Sequence, residues 1–234
     1  MSESPAERVR RVVLALESAG ANPAALDFAL RLARRFGTEV AGLLLDDTAL
    51  RRAATLPFAA ELNRETGEAQ PLDIAALERR LRAQSTRLRE QLEQAARLHG
   101  VPVSLRQLAV SGAAGVITEL GDAEVLVIGR ALRSPWARVA AQGPALLLYT
   151  DEAARQRGEA MVSQWLEAAN GKPVTAFLEF VPWSGRDENR DSAIENLRQR
   201  RPRLVAVPAA PAAASPWLLQ RLLEILDCPI VLLR

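Results

Sequence analysis

Apolar positions along this chain fall into two kinds of pattern. Short continuous runs bounded by turn residues or charges predict buried parallel strands at 11–16, 39–45, 101–110, 124–128, 145–150, 174–181, 203–207 and 229–233. Segments with helical spacing lie between most of them. Pro23, at a first-turn position, opens a helix with Leu26, Leu30 and Ala33 on one side, and Gly37 ends it. A longer helix is predicted over 73–99. Its Leu77, Leu81, Leu88 and Leu92 form one stripe, Glu78/Arg82 and Arg89/Glu93 sit one turn apart on the wet side, and Gly100 stops it. Strand–helix alternation predicts an α/β fold with a parallel sheet covered on both faces. Residues 46–72 break the alternation: 50–62 reads as a helix and 63–71 as loop, a long connection of the kind that serves as a lid or interaction element.

The pattern also repeats. Residues 92–110 and 166–181 each read as a helix end, a Gly, an x-Pro-Val and a strand. Residues 111–130 and 191–209 each read as a short helix leading into a strand. Ser134-Pro-Trp136 and Ser215-Pro-Trp217 each open a helix, and Gly143-Pro-Ala-Leu-Leu-Leu matches Cys228-Pro-Ile-Val-Leu-Leu. The Trp-to-Pro distances differ by about one helical turn, as a deletion that preserves helix phase would leave them. Landmarks matched in order point to a duplicated unit, 1–143 and 144–234, with the second copy shortened and lacking a counterpart of strand 39–45. Strand 145–150 fits two roles, the last strand of the first copy or, through Tyr149-Thr-Asp151, the opening strand of the second.

Charge changes the picture little. The net charge is +2 and balanced, which argues against nucleic acid or an anionic membrane as partner. A single cysteine, Cys228, suits a reducing compartment. No apolar run is long enough to span a bilayer, so a cytoplasmic location is expected. No Ser–His–Asp set, metal-ligand cluster or catalytic carboxylate pair stands out.

The first half resembles the universal stress protein family. The resemblance rests on VVLALESAGANPAALDFALRLA (12–33), EVAGLLLDD (39–47), Val110-Ser-Gly112 followed by Ile117, and Ala123-Glu-Val-Leu-Val-Ile-Gly129. It implies two tandem open parallel sheets of the adenine-nucleotide-alpha-hydrolase-like kind, helices on both faces, the second shortened. In nucleotide-binding members an Asp after strand one meets the ribose, a residue near the end of strand two meets the base, and a Gly-x-x-Gly followed by Gly-Ser or Gly-Thr holds phosphates. Here Glu17 stands at the ribose position, Leu45 at the base position, Gly112 at the turn into the third helix and Gly129 at the first phosphate glycine. Leu132 and Gln142 replace the other two glycines, and Gly143 is followed by Pro144. In the second half Asp151 keeps the acid, but Pro208 and Pro211 occupy the glycine positions and remove donors.

The resemblance therefore implies a non-catalytic regulatory or interaction protein of the stress-response class, with nucleotide binding lost or weak and no cofactor expected. One alternative keeps an ATP or AMP site built from Glu17, Leu45, Gly112 and Gly129. A remote one is an ATP pyrophosphatase-like enzyme, echoed by Ser18-Ala-Gly-Ala-Asn22-Pro23, where that class requires Gly and Asp-Ser. Bland readings stand beside these. Glu17 is equally a cap for the helix at Pro23, Gly129 a turn, Asp46 and Asp47 a wet loop end, His99 a helix-end imidazole, and Cys228 an inert buried thiol. Trp136 and Trp217 are expected buried, and Trp183 is a candidate cover for the strand ends of the second half. Trp136, Leu147, Trp217 and Val231 are the interface candidates. Strands 145–150 and 229–233 pair with each other inside one chain, or else 229–233 pairs with a second copy; the homodimer through the C-terminal strand is the expectation taken forward.

Overall fold

The computed structural model describes residues 9–17, 22–47, 52–56, 58–63, 66–110, 117, 124–129, 143–170, 178–183, 190–209 and 216–233. Its main strands are β1 (Arg11–Glu17), β2 (Glu39–Asp47), β5 (Val103–Val110), β6 (Glu124–Ile128), β7 (Ala145–Tyr149), β8 (Leu178–Pro182), β9 (Leu204–Pro208) and β10 (Ile230–Leu233). They form one eight-stranded sheet in the order β5-β2-β1-β6-β10-β9-β7-β8. Two further strands, β3 (Ala60–Leu62) and β4 (Ala69–Pro71), make a separate antiparallel hairpin.

Each of the eight apolar runs contributes a strand to the main sheet, 174–181 through Leu178 onward with 174–177 outside the described residues, and every pairing is parallel except one: β10 runs antiparallel to β6. That exception joins two parallel half-sheets, β5-β2-β1-β6 and β10-β9-β7-β8. In each half an opening strand is flanked on both sides, β1 by β2 and β6, β7 by β8 and β9. Strand 145–149 therefore stands in its half-sheet where β1 stands in the other, with β8 beside it as β2 is beside β1.

The chemistry of the ends explains the helices. In α1 (Pro23–Phe36), Asn22 caps the start and Gly37, at φ 62°, turns the chain out in the left-handed region that glycine adopts without a steric cost. In α2 (Ile74–His99), Asp73 caps the start and Gly100, at φ 65°, repeats the stop. α3 (Glu152–Asn170), α4 (Arg190–Gln199) and α5 (Pro216–Ile225) follow in the second half.

Two apolar layers cover the sheet. One holds Leu14, Leu16, Leu30, Leu92, Leu147 and Trp165, and so joins α1, α2 and α3 over both halves. The other holds Val13, Ile128, Leu146, Ile194, Leu219 and Leu222 under α4 and α5.

Three expectations need correction. Segment 50–62 is not a helix: 52–54 makes a short helical turn, and the chain then enters the hairpin, with Asn63 and Glu68 bridging its end. The C-terminal strand is not an open edge for a homodimer. β10 is bonded to β6 on one side and β9 on the other, so it has no backbone edge to offer, and the internal partner is β6 rather than 145–150. Accordingly Leu147 and Val231 are fully buried in the core of a single chain and cannot form an interface between copies. Finally, Trp217 is 38% exposed, because Leu218, Leu219, Leu222 and Leu223 supply the buried face of α5. Trp136 lies outside the described residues.

Candidate functional site

In an open parallel sheet a ligand binds beyond the carboxyl ends of the strands, where neighbouring strands diverge in connection. This sheet has two such places, between β1 and β6 and between β7 and β9.

At the first, the register sets Glu17 beside Leu45 at the ends of β1 and β2, and Gly129 directly follows β6 next to β1. Leu45 is half-buried against the α4–α5 layer. Gly112 lies outside the described residues, as do Leu132 and Gln142. The fold thus lines up three of the four sequence candidates along one sheet end, but it gives Gly129 a packing role. A Cβ placed there would lie 2.5 Å from the Ala25 Cβ and 2.7 Å from the Asn22 Cβ. A glycine here lets α1 approach the end of β6.

Asn22 is the residue that sequence reasoning passed over. It is 2% exposed. Its Oδ1 accepts from the Ala24 and Ala25 N–H groups at 2.9 and 3.1 Å. Pro23 has no N–H, and the Leu26 N–H donates to the Asn22 carbonyl. Every donor of the first turn of α1 is therefore spent within the chain, and the helix start presents none to an anion. The Asn22 Nδ2 donates in turn to the Asp227 carbonyl at 3.3 Å. Because β10 is antiparallel to β6 with Ile230 opposite Ile128, the segment leading into β10 lies beyond the end of β6. The segment that leads into β10 thus meets the start of α1 beyond the end of β6. The signal was present as an Asn before a Pro at a helix start, a cap signature. The residue at that cap is Asn22.

At the second place, Asp151 follows β7 and spends its carboxylate on the start of α3: the Ala154 N–H donates to Oδ1 at 2.7 Å, and the Thr150 hydroxyl donates to Oδ2 at 3.2 Å. The Ala154 N–H, helped by Thr150 and by the charge of Arg157, holds this carboxyl below its ordinary range. The Arg155 N–H bonds the Asp151 carbonyl. Trp183 is 8% exposed, and its N–H donates to the Tyr149 carbonyl at 2.7 Å. With Leu148, Tyr149, Thr150, Val207 and Pro208 it lines a depression too shallow to hold a water molecule. The tryptophan covers the strand ends, as its position in the sequence suggested. Pro211 lies outside the described residues.

The remaining candidates take ordinary roles. The His99 Nε2 lies 3.7 Å from the Asp27 Oδ1 across the α1–α2 contact. Cys228 is buried, which pushes its thiol up to about 12 and keeps it unreactive at neutral pH. Gly143 is no phosphate glycine: it precedes β7 at the amino end, and a Cβ there would meet the Arg201 carbonyl oxygen at 1.8 Å. Asp46 and Asp47 lie on β2, and nothing is described of their side chains. Among the described residues no group of three or more His, Cys, Asp or Glu side chains could hold a metal ion, and no helix is long and apolar enough to cross a membrane.

No protein-family model matches the chain, and no curated protein matches it. Solved structures do. A universal stress protein from Archaeoglobus fulgidus matches at TM-score 0.48 and 8% identity, covering 98% of both chains. A Pseudomonas aeruginosa chain that carries the universal stress protein name provisionally matches at 0.41 and 11%, covering 97% of this chain and 94% of that one. A functionally unknown protein from Pseudomonas aeruginosa matches at 0.41 and 12%, covering 97% and 93%. Each is a likeness of overall architecture.

Proposed function

We propose that this chain is a universal stress protein-like, non-catalytic protein that acts through protein contacts, its nucleotide-binding capacity lost or reduced to a trace. We take 1–143 and 144–234 as its two units of duplication. One observation carries the reading: at both ligand-binding positions of the sheet, the adjoining helix start is capped by the chain's own side chain, Asn22 at α1 and Asp151 at α3. A phosphate gains its affinity at such a place from free N–H donors and the helix dipole. With donors already bonded, an incoming anion must displace a cap and gains little net energy. Trp183 also covers the strand ends of the second crevice.

The test is calorimetry and thermal shift with ATP, ADP and AMP. The expected result is no measurable heat and no shift. A ligand present at a hundredfold its dissociation constant would add about 2.7 kcal/mol to stability, which a melting curve resolves easily. Micromolar binding of any of the three would overturn the proposal in favour of a residual nucleotide site.

A further inference from the structure

The second crevice already holds a ring. Trp183 directly follows β8, and its N–H bond to the Tyr149 carbonyl pins its backbone beside the end of β7. Side chains alternate along a strand, so Trp183 shares a face with Val181. Both pack in the layer that contains Leu148, Val205 and Val207. The indole therefore reaches from the end of β8 across β7 toward β9, and it lines the depression there with Leu148, Thr150, Val207 and Pro208.

Packing alone does not call for a tryptophan in this slot. The strand in the matching place of the other half, β2, brings Leu43 and Leu45 to the same layer. Nor is Trp183 placed as the core tryptophan is. Trp165 is fully enclosed in the opposite layer, whereas Trp183 reaches the surface at the strand ends. That is where an open parallel sheet takes its ligand.

The walls say which ring fits. Leu148, Val207 and Pro208 offer apolar surface. The Thr150 hydroxyl is bonded to the Asp151 Oδ2, and the Asp151 Oδ1 accepts from the Ala154 N–H. A ring rich in nitrogen would lose its water against those apolar walls without gaining a partner. An apolar fused pair of rings, as in indole itself, loses nothing.

We infer that the second crevice is a binding site for an apolar fused-ring aromatic compound, and that Trp183 is its autoinhibitory occupant, a tethered ring that a free ring must displace. This rests on the reading of the crevice as one that holds no nucleotide. A tethered group competes at an effective concentration of about millimolar, so dilute compound finds the crevice shut. With its backbone pinned, the indole leaves by rotation about its own side-chain bonds.

Calorimetry on full-length Trp183→Gly tests this, with indole and N-acetyltryptophanamide as probes. The second probe carries the same ring on a polar tail. Both are expected to bind the variant at least roughly a hundredfold more tightly than they bind the wild type. Adenine is expected to bind the variant more weakly than indole does. Trp165→Gly is the control: its hole is enclosed, so it should refuse the tailed probe. If Trp183→Gly is unfolded alone, both probes should restore its helical circular dichroism, because a ligand of the folded state draws the chain to that state. A variant that neither binds nor refolds with the probes would overturn the inference. So would a tailed probe that treats the two variants alike, or adenine that matches indole. Micromolar ATP binding by the wild type sinks the nucleotide-free reading instead, whereas refusal of both probes with no ATP bound sinks this inference alone.

Discussion

The two crevices at the carboxyl ends of this sheet's strands are bounded by different means. Between β1 and β6 the closure is made by backbone and a small amide: Gly129 lets α1 settle against the strand end, and Asn22 ties the helix start to the carbonyl of Asp227. Between β7 and β9 it is made by one large side chain, Trp183, with Asp151 consumed as a cap. The difference follows from the join of the half-sheets. Beside β6 lies β10, whose incoming segment brings the Asp227 carbonyl to Asn22. Among the described residues, the crevice of β7 and β9 is covered from the end of β8. Closure of the first place should thus depend on the two halves being together, and closure of the second on local packing alone.

The largest expected effect is at the second crevice. Trp183→Ala removes a buried indole and should cost about 3–5 kcal/mol in urea denaturation. A variant with an unchanged midpoint would mean that Trp183 covers nothing. Next is Gly129→Ala. The added methyl would meet Cβ atoms fixed to α1, so the helix must move, and the expected loss is about 1–3 kcal/mol. Wild-type stability there would reopen the reading of Gly129 as a ligand glycine. Asn22→Ala should cost about 0.5–2 kcal/mol through the lost cap. Asn22→Ser keeps a cap oxygen without the reach to Asp227, so the gap between the two variants measures the tie between the halves. Indistinguishable variants would mean that tie has no weight.

The smallest effect is a pH dependence. The folded-state pKa of Asp151 is depressed, first by the Ala154 N–H. Its contribution is therefore present above the ordinary aspartate value of about 3.9 and is lost as pH falls through the lower folded value. Wild type should lose melting temperature more steeply than Asp151→Asn below that ordinary value. Parallel acid limbs would remove Asp151 from the account of the second crevice.

Much of this architecture was legible because the signals are local. Apolar runs such as 124–128 and 145–149 declare themselves as strands, and Gly37 and Gly100 declare where helices stop. What escaped is set by pairings between distant residues. Nothing in Pro229–Leu233 says whether its neighbour is strand 145–149, a second chain or β6, because all three offer a similar apolar edge. The hairpin was read as part helix and part loop because three-residue strands are too short for a period to appear. In the site, Glu17, Leu45 and Gly129 lie along one sheet end, but three-dimensional packing, as of α1 on Gly129, is not written in the local sequence. The closeness of Asn22 to Asp227 joins residues far apart in the chain and leaves no local trace.

The antiparallel join also has a kinetic consequence. Val231 must find Val127, with the whole second half-sheet between them in sequence. Pairings of such long range form late, because loop closure precedes any gain from contact. Until β10 arrives, the outer sides of β6 and β9 are both bare, and both strands are apolar and buried in the finished protein. The slowest step in reaching the native state should therefore be the insertion of this one strand. The species that waits for it carries two sticky edges, and the risk of misassembly falls in that interval.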